Sequence, residues 1–237
     1  MSKIELKSKS KEPTGNGVTA WSISRLNTYT QCPFKFKLTA IDKIREPSSP
    51  AMERGAAIHK EAEVYLKGTD LVVPTSLSLM TTEFLELKEH RAEAELEVTF
   101  NKDWGITGWF DKDAWCRIKI DAMVLLGDTI KIIDFKTGKY KKDDNDAYEQ
   151  QLELYALAAL ILYPDVKYVD ASLWFVDSGD HVGTKQDSYT HAMVPDLKKK
   201  WELKVPPMFV DTLFAERPNK FCNWCFFRKA NNGPCSY

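Results

Sequence analysis

No stretch of this chain stays apolar long enough to cross a membrane. Its first residues, Met1-Ser2-Lys3-Ile4-Glu5-Leu6, lack the apolar core of a secretory leader. Both absences lead to the expectation of a cytoplasmic protein with no membrane partner. Net charge is nearly absent too: 33 Lys and Arg against 34 Asp and Glu leave −1 at pH 7. The chain therefore does not bind nucleic acid by its overall charge, and any such surface must be a local basic patch. A complete disulfide set is missing as well, because five cysteines is an odd number. That count favours metal ligation or free thiols. No internal repeat is visible.

What is present is an ordinary globular composition. With 237 residues, 43% of them hydrophobic, the chain can bury a core of its own. Residues 1–18 are rich in Lys, Ser and Gly without apolar periodicity, and read as a mobile tail. Order begins near Trp21, where Ser22 or Ser24 can cap a helix that carries Leu26, Tyr29 and Cys32 ahead of Pro33. Helices are predicted over 53–67, ended by Gly68, and around 79–91. Ala94, Leu96, Val98 and Phe100 alternate with polar residues as a strand. One or two further strands are expected between Trp109 and Ile120. Gly127-Asp128 marks a tight turn before the strand Ile130–Asp134. A polar loop over 141–146 precedes a strong helix over 147–162, which Pro164 stops. Ala171–Val176 reads as a buried strand, and a helix around 195–215 leads to a cysteine-rich end. Helices interleaved with strands predict an α/β core with a mixed central sheet flanked by helices. The domain reading is a core over 19–215 and a cysteine-rich segment over 216–237.

The segment from Ile120-Asp121 to Ile130-Lys-Ile-Ile-Asp134-Phe-Lys136-Thr-Gly138 carries the chemistry. It reads as a hairpin that brings Asp121 and Asp134 to the same end of a sheet, each ending its strand. Strand side chains alternate, so Asp134 and Lys136 share a face while Phe135 points to the core. Two carboxylates supply hard oxygen ligands for Mg²⁺ or Mn²⁺, with the Phe135 carbonyl as a further candidate. A lysine beside them can steer or deprotonate water and offset phosphate charge. The blander reading is a solvated surface hairpin.

Other residues can join the set. His59, expected at the start of a helix among small residues, is a packed side chain or a metal ligand. Gln151 and Tyr155 lie one helical turn apart and either pack or face DNA and Lys136. Glu95 and Glu97 share the polar face of their strand, and either can reach the same cleft.

In this order the pieces resemble the RecB-like branch of the PD-(D/E)xK nucleases. Those pieces are Ser22 to Pro33, Gly55-Ala-Ala-Ile-His59, Asp121, Asp134-Phe-Lys136-Thr-Gly138 and Gln151-x-x-x-Tyr155. The resemblance implies a restriction-endonuclease-like core and metal-dependent cleavage of DNA. His59, Asp121 and Asp134, with Glu97 as an addition, would be metal ligands, and Lys136 the catalytic lysine. Gln151 and Tyr155 would be active-site or DNA-contacting residues. An exonuclease acting on single strands or DNA ends in recombination, repair or replication is expected, with a helicase or recombinase as a candidate partner. The alternative is a non-catalytic module that binds DNA ends.

Cys222-Asn-Trp-Cys225, followed by Cys235, suits zinc or an iron–sulfur cluster if a fourth thiolate is supplied. Cys32 is the best candidate, whereas Cys116 reads as packed. The layout is similar to that of AddB-type and CRISPR-associated members of the family. There, one early and three late cysteines hold a [4Fe–4S] cluster, which would close the tail onto Cys32. The long gap between Cys225 and Cys235 departs from that pattern and leaves Zn²⁺ or packed thiols open. Arg217, Lys220, Arg228 and Lys229 lie among Phe221, Trp224, Phe226 and Phe227. That mixture suits single-stranded DNA, or equally a small hydrophobic subdomain with a charged rim.

Overall fold

The computed structural model describes residues 15–141, 145–184 and 186–237. Most of the tail expected over 1–18, and the centre of the polar loop expected over 141–146, lie outside the described residues. Val18 is fully buried.

The helical elements before the first strand are α1 (Ile23–Gln31), α2 (Pro33–Phe36), a π-helical turn (Lys37–Ile41), α3 (Pro50–Lys67), a 3-10 stretch (Thr75–Met80) and α4 (Thr81–Glu89). Then come β1 (Glu93–Phe100), β2 (Cys116–Leu126), β3 (Thr129–Lys136), α5 (Asn145–Leu162), β4 (Tyr168–Phe175) and β5 (Asp180–Gly183). The chain continues through α6 (Val194–Lys204) and α7 (Pro206–Val210) into short 3-10 turns. No helix among the described residues is long and apolar enough to cross a membrane.

The expected α/β architecture is present as one five-stranded mixed sheet in the order β1-β2-β3-β4-β5. β2 and β3 are antiparallel, β3 and β4 parallel, and β4 and β5 antiparallel. The two-residue turn between Leu126 and Thr129 depends on Gly127, whose φ of +64° a side chain would resist. A parallel β3–β4 pair requires a long crossover, and α5 supplies it. That helix is apolar on nearly every side: Leu152, Leu154 and every residue from Tyr155 to Leu160 are buried. It packs on β3 and β4. A second cluster joins Ile58, Tyr65, Phe84 and Leu87 of α3 and α4 to Ala122, Val124, Ile133, Phe135 and Trp174 of the sheet. β3 is thus sandwiched, which explains its near-continuous apolar run.

Several sequence boundaries move. Ser22 is the residue that caps α1, its side chain accepting from the Arg25 N–H. α3 starts at Pro50 rather than 53, because Ser49 caps it and proline is tolerated in a first turn. His59 consequently lies in the middle of the helix, not at its start. Gly68 ends the helix for want of space, since a Cβ there would sit 2.7 Å from the Val64 carbonyl oxygen. The helix expected over 195–215 ends at Lys204, and Pro206-Pro207 opens a separate short one. Strand structure before Ile120 begins only at Cys116, with 101–115 in turns and isolated bridges. β5 has no signal in the sequence, being four largely exposed residues.

The chain divides into two compact units. One comprises residues up to Ile44, Val98–Arg117 and Val205–Tyr237. Its interior includes Trp21, Phe100, Trp104 and Trp115, with Trp21–Trp115 and Trp104–Trp115 ring centroids 5.5 and 5.4 Å apart. The other comprises Arg45–Glu97 and Ile118–Lys204.

Candidate metal centre and cysteine cleft

Within the second unit, Asp121 and Asp134 do not end their strands. Asp121 is the sixth of eleven residues in β2, and Asp134 the sixth of eight in β3. The register that sets Ala122 opposite Ile133 still carries the two aspartates to the same level. Asp121 is tied down at both oxygens. Its Oδ2 accepts the Phe135 N–H at 2.8 Å, and its Oδ1 lies 3.3 Å from His59 Nδ1. The hydrogen bond to Asp121 raises the His59 pKa against the opposing effect of burial.

Asp134 is 2% exposed. Lys136 Nζ sits 2.6 Å from its Oδ2 and donates to Gln151 Oε1 at 3.1 Å. The Gln151 amide then donates through Nε2 to Asp134 Oδ1 at 2.6 Å and to Tyr155 Oη at 2.8 Å. One amide thus bridges the carboxylate and the lysine, and only one orientation of its O and N satisfies both. Asp134 Oδ2 is buried, and its close partner is the Lys136 ammonium, a charge-assisted contact that opposes the cost of burial. Desolvation pushes the Asp134 pKa up to about 6, with Lys136 opposing and Asp121 adding to the rise. Burial first, and then the Asp134 charge, hold Tyr155 well above the ordinary phenol range.

Ligand atoms of His59, Glu95 and Asp121 lie within 4.8 Å of one another. Small side-chain rotations bring groups at that separation onto an ion bonded at roughly 2.1 Å. The set includes Glu95 rather than Glu97, which is exposed. Glu95 has φ +56°, a left-handed backbone inside a strand, costly for any residue but glycine. This break in the β geometry singles out one glutamate from two that look alike in an alternating sequence. Glu95 is also ion-paired with Lys119, whose pKa rises as a result.

The first unit gathers the other predicted residues. Cys32, Cys222, Cys225 and Cys235 are half-buried free thiols around a cleft of about 250 Å³. Cys116 is fully buried, as expected of a packed thiol. Cys32 joins α1 to α2, and the C-terminal segment is laced to the end of α1 around it. Arg217 donates to the Thr30 carbonyl, and Asn219 Nδ2 to the Gln31 carbonyl at 3.1 Å. Cys222 Sγ accepts the Asn219 N–H at 3.3 Å. Gly233 is sterically obligatory in the turn before Cys235, because a Cβ there would lie 2.2 Å from the Phe227 carbonyl oxygen. Of the nearby aromatics only Phe227 is core. Trp224 is 79% exposed, with Phe221 and Phe226 also exposed.

A model of the PD-(D/E)XK nuclease superfamily matches residues 20–117 and 76–230. The Gene 69 protein of Mycobacterium phage L5 is 24% identical over 210 residues, covering 60% of this chain and 71% of that one. Its counterpart from Mycobacterium phage D29 is 25% identical over 191 residues, covering 60% and 69%. The crystal structure of a candidate exonuclease from Eubacterium rectale aligns over 99% of this chain and 95% of its own, with a TM-score of 0.50. At 12% identity that is a likeness of fold alone. The family match spans most of the chain and includes the hairpin, the histidine helix and the glutamine clamp: the protein belongs to the PD-(D/E)XK nuclease superfamily.

Proposed function

We propose that the protein is a divalent-metal-dependent DNA exonuclease acting on single strands or DNA ends. The observation that carries this reading is the clamp of Gln151 on Asp134 and Lys136, beside the His59–Asp121 pair. Burying a carboxylate without full hydrogen bonding is costly, and an apolar pair would serve the core better. A functional demand accounts for keeping it.

The donor set fits Mg²⁺ or Mn²⁺, with carboxylate oxygens and one imidazole in place. Asp121, His59 and Glu95 would hold the ion, and Asp134, paired here with Lys136, would supply a further carboxylate. When bound, such a cation neutralises phosphate charge and makes water a stronger nucleophile. Lys136, held by Asp134 and Gln151, places a cation where negative charge grows on the phosphate. Gln151 fixes the lysine tip, Tyr155 backs Gln151, and His59 keeps Asp121 oriented. The four clustered cysteines would hold a [4Fe–4S] group with a structural role.

Digestion of end-labelled single- and double-stranded DNA with Mg²⁺ or Mn²⁺ tests the reading. Metal-dependent shortening from an end is expected, abolished in Lys136→Ala. DNA binding without cleavage would replace it with an end-binding module. Visible absorbance of anaerobically purified protein tests the cluster.

A further inference from the structure

We infer that Arg54 and Asp177 are positioning residues for Lys136, forming a charged strap that fixes the backbone on which the lysine stands. This rests on the nuclease reading above.

Lys136 is the last residue of β3, and the Val176 N–H donates to its carbonyl at 3.0 Å. Beyond it the chain leaves the sheet through Thr137 and Gly138, the latter at φ +86°. Asp177 secures this exit. Its Oδ2 accepts the Gly138 N–H at 2.5 Å. The same carboxylate is gripped by both ends of the Arg54 fork, Nη1 to Oδ2 at 2.8 Å and Nη2 to Oδ1 at 2.5 Å. Arg54 belongs to α3, the helix that also brings His59 to Asp121. The next residue, Gly55, shares a helical face with His59, and a Cβ there would lie 3.4 Å from Thr137 Oγ1. Along one helix, then, His59 touches the first aspartate, Gly55 faces the lysine's exit turn at Thr137, and Arg54 closes on Asp177. Gln151 holds the tip of Lys136, and the strap holds its base.

Stability does not explain the arrangement. The Arg54 side chain is 55% exposed, and ion pairs so open to water contribute little. A two-pronged guanidinium–carboxylate contact does, however, specify position. A catalytic group displaced by about 1 Å can lose up to ~10²-fold in rate.

The test compares Asp177→Asn, Arg54→Gln, Arg54→Lys and the double variant R54Q/D177N, in the full chain. Three measurements are made: steady-state cleavage of labelled DNA, melting temperature, and amide exchange at Gly138. The expected result is kcat lower by about ten- to a hundredfold. KM for DNA and the melting temperature should stay near wild type. The double variant should be no worse than the worse single, Arg54→Lys should recover part of the rate, and Gly138 should lose protection in D177N and R54Q. Unchanged kcat in D177N with active wild type would overturn the assignment. So would KM rising at constant kcat, which would make Arg54 a phosphate contact, or unchanged exchange at Gly138. A wild type that cuts nothing would instead refute the nuclease reading, leaving the exchange measurement to decide the strap alone.

Discussion

Asp134 and Cys235 are both side chains that a metal group would claim, yet they are held in different ways. Asp134 stands on a strand buried on both faces, among apolar neighbours that would exist without any ion. Cys235 stands in turns near the end of the chain, positioned by backbone contacts such as its own N–H to the Phe227 carbonyl at 3.1 Å. The carboxylate site is thus pre-shaped by a hydrophobic core, whose desolvation raises the pKa of Asp134. The cysteine cleft has little core of its own, and its apolar side chains stay largely exposed. One region should therefore fold without its ion, whereas the other, if the proposed cluster is present, should depend on it to be fully ordered.

The largest effect that would break this contrast is on catalysis. Asp134→Asn should lower the cleavage rate by about 10³-fold or more while circular dichroism stays that of the wild type. Unfolding of this variant would mean that the site, and not the core, organises the sheet. Next in size, Cys225→Ser should remove the visible absorbance and open residues 216–237 to limited proteolysis, with Arg45–Glu97 and Ile118–Lys204 remaining resistant. Equal loss of protection in both regions would erase the distinction between them. Gly233→Ala should act in the same direction through the close contact with Phe227.

The metal-free stability of Asp134→Asn sharpens the contrast further. Burial raises the folded pKa of Asp134 to about 6, above its unfolded value, so the folded state favours the protonated form. That contribution is fully present below about pH 4 and is lost as pH rises through about 6. The variant should accordingly match wild type at low pH. Above pH 6 it should be the more stable of the two, because the wild type then carries a buried charge that the amide lacks. Urea melts at pH 4 and pH 7.5 without divalent ions would measure this, and a variant less stable at pH 7.5 would contradict it. A last pair of variants separates two neighbours. Glu95→Gln should weaken divalent-ion affinity by about 10- to 100-fold, and Glu97→Gln should leave it unchanged, as read by calorimetric titration.

That last pair shows where the sequence stops being readable. The shared face of Asp134 and Lys136 follows from strand alternation, and the pairing of Gln151 with Tyr155 from helical spacing. Both are local rules, and both are found in the structure. Glu95 and Glu97 obey the same alternation, so only the left-handed turn at Glu95 distinguishes them, and such a turn has no mark in a non-glycine residue. The helix start expected just before His59 comes too late, because Ser49 ahead of Pro50 is itself an opening signal, a capping serine followed by a first-turn proline. Asp177 was invisible for another reason: its partners, Arg54 and Gly138, are brought to it only by the packing of α3 and the parallel strand pair. The early end of the helix expected over 195–215 does have a mark, since Pro206-Pro207 cannot continue a helix from within.

The tight turn at Gly127 has a kinetic consequence. It joins β2 to β3 through only two residues, and so brings Asp121 and Asp134 together by a local closure. Hairpins of this kind form within about 1–10 μs. Asp121 and Asp134 can therefore meet long before α5 has crossed over to bring Gln151, or α3 has docked to bring His59. A refolding chain would pass through a moment when two like charges face each other without their clamp. Divalent ions present at that moment should speed the hairpin's closure, and the rate of refolding would carry the imprint of the site before the enzyme exists.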